Sequence, residues 1–288
     1  TINDHNPKAV EVIEKNIAQN ALENCLAERK KMNTLTSEED FDYVDIDPFG
    51  SPVSYIDSSL QCLRKNGMLA VTATDTASLC GSPKKACMRR YDAQPFRTSF
   101  SKETATRILA GHCVRLAAKY EIALKPILSF FADHYIRIHF TLDKGAKKAD
   151  STLKDVGYLV WDPKTKDRRK VVEIPKKLGS AQIAGPLWIG VLHDKTYLKK
   201  MKVNESLGTA KRMKKYLELW LKEADMPPYF YDQNEIASLT KTQPLSLEDM
   251  VQRLKKQDFS ACKTHFSPTG FKTDADIKEI SDLVAKRT

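Results

Sequence analysis

The chain has 288 residues, of which 41% are hydrophobic and 29% are charged. That composition can bury a sizeable core in one large or two modest domains. No run approaches the roughly 20 apolar residues of a membrane-spanning helix, and the first residues do not form a signal-peptide pattern. The six cysteines form no Cys-x-x-Cys pair. We therefore expect reduced thiols in an intracellular protein, cytoplasmic or, in a eukaryote, nuclear.

The formal charge of +10 is unevenly distributed. Residues 1–140 contain 18 Lys or Arg and 17 Asp or Glu, whereas residues 141–288 contain 29 and 20. A nearly neutral half is thus followed by a strongly basic half. The excess charge can lie on solvated helix faces, or it can bind a polyanion by a long-range, salt-sensitive attraction. Charge alone leaves both interpretations open.

The first half alternates between helical and strand patterns. Asn6-Pro7 is a helix-start signal, followed by apolar residues at helical spacing to about Asn20. Further patterns predict a strand over 41–46, a helix from Val53 that Asn66-Gly67 terminates, a strand over 68–74, a helix over 102–119, and strands over 127–131 and 135–140. Such alternation predicts a doubly wound α/β sheet. Ligands bind these sheets at the carboxyl ends of the strands, where Asp4, Asp47 and Asp75 fall.

The sequence pattern changes after about residue 143, where the second half begins. Gly145-Ala146-Lys147-Lys148 is interpreted as a linker, and Trp161-Asp162-Pro163-Lys164 as a turn between short strands. Residues 206–224 have the pattern of a basic amphipathic helix, and further helices are predicted over 246–257 and 275–285. We therefore divide the chain into an α/β domain, residues 1–143, and a smaller basic α+β domain, residues 144–288.

Asp47-Pro48-Phe49-Gly50, at the end of a predicted strand, carries the most specific chemistry. An exocyclic amine on a nucleobase is a poor nucleophile because its lone pair is delocalised into the ring. The Asp47 carboxylate and a nearby backbone carbonyl can accept its two N–H bonds and stabilise the positive charge that develops on methyl transfer. Pro48 makes the turn rigid, and Phe49 can stack on an extruded base. The competing interpretation is an ordinary Asp-Pro turn at a strand end.

The other two carboxylates at strand ends each have two interpretations. Asp4 can accept hydrogen bonds from a ribose hydroxyl, or it can stabilise the N-terminus of the helix that follows it. Asp75 can line the same pocket, or it can cap the following turn.

A predicted long loop over residues 76–101 is rich in arginine and aromatic residues. Arg89, Arg90 and Arg97 alternate with Tyr91 and Phe96. Beside an active site, such a loop suits a flipped base and its phosphates, although a solvated surface loop has the same composition.

Two further pairs favour structural roles. Glu103 and Arg107, at i,i+4, suggest an ordinary helix ion pair, whose contribution is only tenths of a kcal/mol. His193 and His265 have no partners at metal-ligand spacing, so we interpret both as structural histidines and expect no metal site.

Several segments resemble the tRNA guanine-26 N2-dimethyltransferase family. They occur in the family's order and span nearly the whole chain: Asp45-Ile46-Asp47-Pro48-Phe49-Gly50-Ser51-Pro52, Thr72-Ala73-Thr74-Asp75-Thr76-Ala77 with Leu79-Cys80-Gly81, Glu103 with Arg107, Ala132-Asp133-His134-Tyr135-Ile136-Arg137, Gly185-Pro186-Leu187-Trp188-Ile189-Gly190 with Leu192-His193-Asp194, and Thr264-His265-Phe266 with Pro268-Thr269-Gly270-Phe271-Lys272-Thr273-Asp274-Ala275. Each match is weak alone, and together they are strong.

The resemblance implies a class I, Rossmann-like methyltransferase domain followed by a family-specific, tRNA-binding C-terminal domain. It implies S-adenosylmethionine as donor and the N2 amine of a tRNA guanine as acceptor, with one or two methyl groups added. By the same resemblance, Asp4 binds the ribose of the donor, Asp47 holds the guanine amine and Phe49 faces the base.

Two departures from the family pattern matter. The family's glycine-rich donor loop is not among these residues, and Thr1-Ile2-Asn3 looks like the tail of a strand. We therefore expect the first strand and its loop upstream of Thr1, and weak donor binding by these 288 residues alone. Many members also carry a cysteine zinc site before the Gly-Pro-Leu-Trp segment, but residues 144–184 contain no cysteine and no zinc is expected.

Two other functions stay open at this point. An adenine N6-methyltransferase acting on DNA or RNA uses a similar Asp-Pro motif, although the basic second half argues against it. A tRNA-binding protein without catalysis is the other alternative.

Overall fold

The computed structural model describes residues 1–285, so the last three residues of the predicted C-terminal domain lie outside it. The elements up to residue 144 are, in chain order, β1 (Ile2–Asn3), α1 (Pro7–Gln19), β2 (Ala27–Glu28), α2 (Met32–Glu38), β3 (Phe41–Ile46), α3 (Val53–Cys62), β4 (Leu63–Ala73), α4 (Thr76–Leu79), α5 (Lys84–Tyr91), α6 (Ser101–Ala118), β5 (Ile122–Ala132) and β6 (Tyr135–Lys144). The later elements are α7 (Ala146–Leu153), β7 (Val156–Trp161), β8 (Arg168–Val171), β9 (Gln182–Trp188), α8 (Lys195–Lys200), α9 (Ala210–Glu223), β10 (Tyr231–Asp232), α10 (Gln233–Thr240), α11 (Leu247–Lys256), β11 (Ala261–Lys263), β12 (Gly270–Thr273) and α12 (Ile277–Ala285).

The central sheet has four strands in the order β3-β4-β6-β5. Strands β3 and β4 are parallel, and the other two neighbours pair antiparallel. Along β3, Val44 and Ile46 point into the core while Tyr43 and Asp45 face outward, as the twofold repeat of a strand requires. Strand β4 is buried over most of its second half, which confirms the buried parallel strand predicted over 68–74.

The strands of the first half form two separate sheets. Strand β1 pairs only with β2, in a separate two-stranded parallel sheet, and makes no ladder with β3. The edges of β1 and β3 instead face each other across an open cleft, so Asp4 and Asp47 end strands of different sheets. Two three-stranded sheets, β8-β7-β9 and β10-β12-β11, belong to the second half.

Three local predictions need correction. Helix α3 ends at Cys62, before Asn66-Gly67, because β4 already begins at Leu63. The predicted linker at residues 145–148 is the start of α7, where Gly145 has φ +136°. The predicted long loop contains helices α4 and α5, and Tyr91 and Phe96 are buried in the core, so neither ring is available to a flipped base.

The main hydrophobic core is continuous across the predicted boundary at residue 143. It extends from Val44 in β3 to Trp188 in β9 and Phe266 beyond β11. A second, smaller core lies within the last quarter of the described chain, around Phe271 and Met250. The division into two domains stays a prediction. No helix among residues 1–285 is long and apolar enough to cross a membrane.

Candidate active site

The candidate site is a cleft of about 500 Å³ between β1 and β3. Its lining brings together Asp4, Asp47, Pro48 and Phe49 from two strand ends. Apolar side chains, including Met32, line the cleft beside them. Polar groups from two chain segments thus converge on a partly apolar cleft, the usual composition of a small-molecule site.

Asp4 directly follows β1 and keeps one carboxylate oxygen available. Its Oδ1 accepts a hydrogen bond from the backbone N–H of Asn6 at 2.8 Å. Its Oδ2 has no hydrogen-bond partner among the described residues, and 41% of the side chain is exposed. Asn6 is the N-cap of α1, with Pro7 as the first helical residue, as predicted. Asp4 therefore contributes to the helix start and still offers an acceptor to the cleft.

Asp47 and Phe49 present a free acceptor and a free ring at the opposite side of the cleft. The Asp47 carboxylate makes no hydrogen bond or ion pair with another described residue, and Phe49 is fully exposed. Burying a ring of this size would stabilise the fold by roughly 1.5–3 kcal/mol. A fully exposed phenylalanine next to an unpaired carboxylate is therefore difficult to explain by folding alone.

The loop that carries Phe49 is held by hydrogen bonds to the next strand end. The backbone N–H of Gly50 donates to Thr74 Oγ1 at 2.6 Å, and the backbone N–H of Thr74 donates to the Gly50 carbonyl at 3.0 Å. Gly50 has φ +93°, a left-handed conformation that glycine adopts without strain. Ser51 Oγ lies 3.0 Å from the hydroxyl oxygen of Tyr91.

Asp75 lies outside the cleft and is fully engaged with protein groups. Its carboxylate accepts from the Tyr91 hydroxyl at 2.6 Å, from Arg90 Nη1 at 2.8 Å and from Ser78 Oγ at 3.0 Å. Burial, reinforced by Asp75, raises the pKa of Tyr91 well above its ordinary value, so the hydroxyl stays protonated. The structure thus joins Asp75 to the Phe49 loop through Tyr91 and Ser51 rather than to the cleft.

The three arginines predicted to bind substrate all lie at the surface. Arg89 and Arg90 form the last turn of α5, and Arg97 follows it. Arg90 is paired with Asp75, whereas Arg89 and Arg97 have no ion-pair partner within residues 1–285.

Sequence reasoning missed an interaction on the outward face of the sheet. Arg137 in β6 donates to Asp45 at 2.5 Å and to Thr72 Oγ1 at 2.9 Å, which links three neighbouring strands. Asp45 also accepts from the Tyr43 hydroxyl at 3.3 Å. Both Asp45 and Arg137 stand in the family-like segments, but only the strand register brings them together.

Glu103 and Arg107 are not an ordinary surface ion pair. Both side chains are buried, and Arg107 Nη2 lies 2.9 Å from Glu103 Oε1. Arg107 also donates to the carbonyls of Trp188 and Gly190. Glu103 additionally accepts from Lys272 Nζ at 2.6 Å. Burial alone raises the pKa of Glu103, but the charges of Lys272 and Arg107 outweigh it and hold the pKa below its ordinary value.

The two histidine rings pack against each other, and His265 also makes a hydrogen-bond contact. The ring of His265 lies 2.9 Å from a carboxylate oxygen of Glu223, and burial lowers the pKa of His193 to about 3. In the described part of the chain, no group of three His, Cys, Asp or Glu side chains is placed to hold a metal ion.

Comparison with known proteins identifies the family of the chain. A model of the family described as N2,N2-dimethylguanosine tRNA methyltransferase matches residues 1–285. The chain belongs to this family. Among its relatives, the tRNA (guanine(26)-N(2))-dimethyltransferase of Methanosarcina barkeri is 39% identical and covers 99% of this chain and 76% of the relative. The enzyme of the same name from Methanocaldococcus jannaschii is 37% identical, over 100% and 77%.

A solved structure extends the agreement to the fold. Trm1 from Pyrococcus horikoshii, solved in complex with S-adenosyl-L-methionine, superposes with a TM-score of 0.90 at 35% sequence identity. The match covers 98% of this chain and 81% of that chain. Family and structure together confirm the Rossmann-like methyltransferase fold and the resemblance drawn from the sequence segments.

Proposed function

We propose that this protein transfers one or two methyl groups from S-adenosylmethionine to the exocyclic N2 of guanine 26 in tRNA. The observation that carries the proposal is the unpaired Asp47 carboxylate beside the fully exposed Phe49, at a cleft shared with Asp4. Membership of the family and the names of its relatives support the same substrate and the same enzyme class.

The cleft residues fit the ribose and the base of the donor. The Oδ2 of Asp4, which has no hydrogen-bond partner among the described residues, can accept from ribose hydroxyls, as an acidic residue at a second strand end does in nucleotide-binding folds. The side chains of Met32 and Phe41 provide apolar lining for a flat base. Bound S-adenosylmethionine supplies an electrophilic methyl group on a sulfonium centre. A bound donor of the same kind in the Pyrococcus horikoshii protein supports this assignment.

Asp47 and Phe49 act on the guanine. The ring of Phe49 stacks on the extruded base, an interaction that typically contributes about 1–3 kcal/mol per base. The Asp47 carboxylate accepts an N–H of the amine, which localises the nitrogen lone pair and stabilises its developing positive charge. A singly methylated amine keeps one N–H, so the same acceptor serves a second transfer.

The remaining predicted site residues either contact the tRNA or support the site. Arg89 and Arg97 offer guanidinium groups that have no ion-pair partner among the described residues, and Arg90 offers the donors that Asp75 does not use. We place Asp75 among the groups that support the site through Tyr91. The basic C-terminal half contributes to tRNA binding, and the six free cysteines fit a reducing compartment, the cytoplasm or a eukaryotic nucleus. The named relatives act on guanine, which does not favour the adenine N6 alternative.

The decisive test is Asp47→Ala, with Asp150→Ala on α7 as the control. Asp150 is an exposed aspartate whose loss removes the same charge away from the cleft. We expect Asp47→Ala to lower kcat by about 100-fold or more, because one preorganised acceptor in the transition state is lost. Transfer is measured with labelled donor and bulk tRNA, followed by mass spectrometry of the nucleosides.

Two outcomes of this experiment would overturn the assignment. If turnover by Asp47→Ala is within a few-fold of that of the parent chain, Asp47 has no catalytic role. A methylated base other than N2-methyl- or N2,N2-dimethylguanine removes the proposed substrate. We expect tRNA affinity to be nearly unchanged in both variants.

A further inference from the structure

The positive charge of the second half is concentrated in one short segment. Residues 195–222 contain nine Lys or Arg and only two Glu, a net charge of +7, whereas residues 141–288 as a whole carry +9. The segment consists of α8, a connecting loop and α9. All nine cationic side chains are exposed. We call this surface the α8–α9 ridge.

Few of these charges are neutralised within the protein. Lys195 pairs with Asp225, Arg212 with Asp133 and Lys214 with Glu205. The other six have no ion-pair partner among the described residues: Lys199, Lys200, Lys202, Lys211, Lys215 and Lys222. Like charges one helical turn apart destabilise a helix by a few tenths of a kcal/mol each. Folding therefore gives no reason for this clustering.

The packing of α9 turns three of its four lysines toward solvent in one row. Its opposite side carries Trp220, which stacks on Phe130 of β5 with ring centroids 5.2 Å apart. At roughly 100° per residue, Lys211, Lys215 and Lys222 project within about 40° of one another and opposite Trp220. The row is roughly 16 Å long, so its three cations can contact several successive phosphates of a nucleic acid strand.

The ridge begins at the edge of the sheet that carries the candidate active site. Arg212 Nη2 donates to both carboxylate oxygens of Asp133, at 2.9 and 3.0 Å, in the turn between β5 and β6. Next to that turn, Ile136 pairs with Ala73 at the end of β4, and Thr74 is bonded to Gly50 of the Phe49 loop. Strands β3 and β5 are separated by three inter-strand distances, about 14 Å in total. An RNA with one nucleotide at Phe49 can therefore reach the ridge with the neighbouring nucleotides of the same RNA strand.

We propose that the α8–α9 ridge binds the backbone phosphates of the tRNA that flank the target guanine. This inference rests on the proposed function for the identity of the nucleic acid. The contacts are to phosphates, so they contribute affinity and orientation without reading sequence. They position the tRNA along the sheet edge, while the cleft residues act on the base.

The test compares two triple variants that lose the same charge. Lys211→Ala/Lys215→Ala/Lys222→Ala removes the row, and Lys255→Ala/Lys256→Ala/Lys278→Ala removes three exposed lysines from α11 and α12. Each phosphate contact contributes about one unit to the slope of log affinity against log salt concentration. We expect the row variant to reduce this slope by about two to three units and to weaken tRNA binding on the order of 10-fold or more. The control changes affinity by about twofold at most.

Two further measurements separate this inference from the proposed function. At saturating tRNA we expect the row variant to keep the kcat of the parent chain while its KM for tRNA rises, and Lys→Arg at the same three positions to restore affinity. If the salt slope of the row variant is unchanged, the ridge does not bind the tRNA phosphates, even if guanine N2 is methylated. Conversely, if the salt slope depends on the ridge but no methyl group is transferred, phosphate binding by the ridge is supported and the proposed function is contradicted.

Discussion

At the scale of single residues, the position of the Phe49 loop depends on one buried hydroxyl. The Tyr91 ring is fully buried, and its oxygen lies between Asp75 and Ser51, at 2.6 and 3.0 Å. Ser51 follows Gly50, so this contact and the Thr74 bonds hold both sides of the loop. Tyr91 does not line the cleft, and we regard it as a positioning residue.

Tyr91→Phe removes this hydroxyl while keeping the ring. We expect kcat to fall roughly 10- to 100-fold, because misplacement of a reacting group by about 1 Å has effects of that size. The KM for the donor should stay within about twofold, since Asp4 is on the other side of the cleft. Steady-state kinetics of Tyr91→Phe are compared with those of Tyr120→Phe, which removes an exposed hydroxyl bonded to Asp57 at 2.6 Å.

A loss of folding stability alone would not produce this pattern. If Tyr91→Phe lowers the melting temperature but leaves kcat unchanged, the hydroxyl has only a structural role. Ser51→Ala supplies an independent check, because it removes the other end of the same contact.

At the scale of secondary-structure elements, α6 organises the buried charges. Its Glu103 accepts from Lys272 of β12 and from the backbone N–H of Tyr229, and its Arg107 donates to the carbonyls of Trp188, at the end of β9, and Gly190. These bonds join one helix to three later segments of the chain. The network is buried, so its charges depend on each other rather than on water.

Lys272→Met is the sharpest change to this network. It keeps the length of the side chain but leaves the Glu103 carboxylate with one fewer cation, so we expect a loss of about 3 kcal/mol in the free energy of unfolding. The control is Lys263→Met, which breaks an exposed pair with Glu248 and should cost less than about 1 kcal/mol. Urea denaturation measures both.

A double variant tests directly whether Glu103 and Lys272 interact. Glu103→Gln combined with Lys272→Met should destabilise less than the two single variants added together, because the double variant no longer buries an underpaired carboxylate. Strict additivity would show that the two groups do not interact.

At the scale of the whole molecule, the two halves are packed against each other through α6 and β9. A methyl group added at Gly111 of α6 would stand 2.7 Å from the Leu187 Cα and 2.7 Å from the Trp188 backbone nitrogen. Both obstacles are backbone atoms, so the helix and the strand would have to separate. Glycine at this position is therefore required by tertiary contact rather than by helix formation.

Gly111→Ala tests this contact because two effects oppose each other. Alanine favours a helix by about 1 kcal/mol, whereas the clash should cost roughly 1–3 kcal/mol beyond that gain. We expect net destabilisation in thermal and urea unfolding. Gly208→Ala, where an added methyl meets nothing within 4 Å, is the control and should change stability by less than about 0.5 kcal/mol. A stabilised Gly111→Ala variant would show that the halves are not closely packed there.

Much of the chain was predictable from the sequence because the signals are local. Asn6-Pro7 began α1, and the apolar repeat around Trp220 gave α9, since capping and helical periodicity act over a few residues. Asp4 and Asp47 stand at strand ends as predicted, because a β-rich run stopped by polar residues or proline ends a strand wherever it occurs. The ordered family-like segments fixed the family, which the comparisons confirm.

Only the tertiary structure decided how distant segments meet. The sequence cannot show that Tyr91 contacts both Ser51, 40 residues before it, and Asp75, 16 residues before it. Nor can it show that Lys272 neutralises Glu103 from 169 residues away. Burial and charge pairing depend on which elements pack together, and strand register and helix packing set that over the whole molecule. For the same physical reason, nine exposed charges at residues 195–222 were only a composition in the sequence and became a surface beside the cleft in the fold.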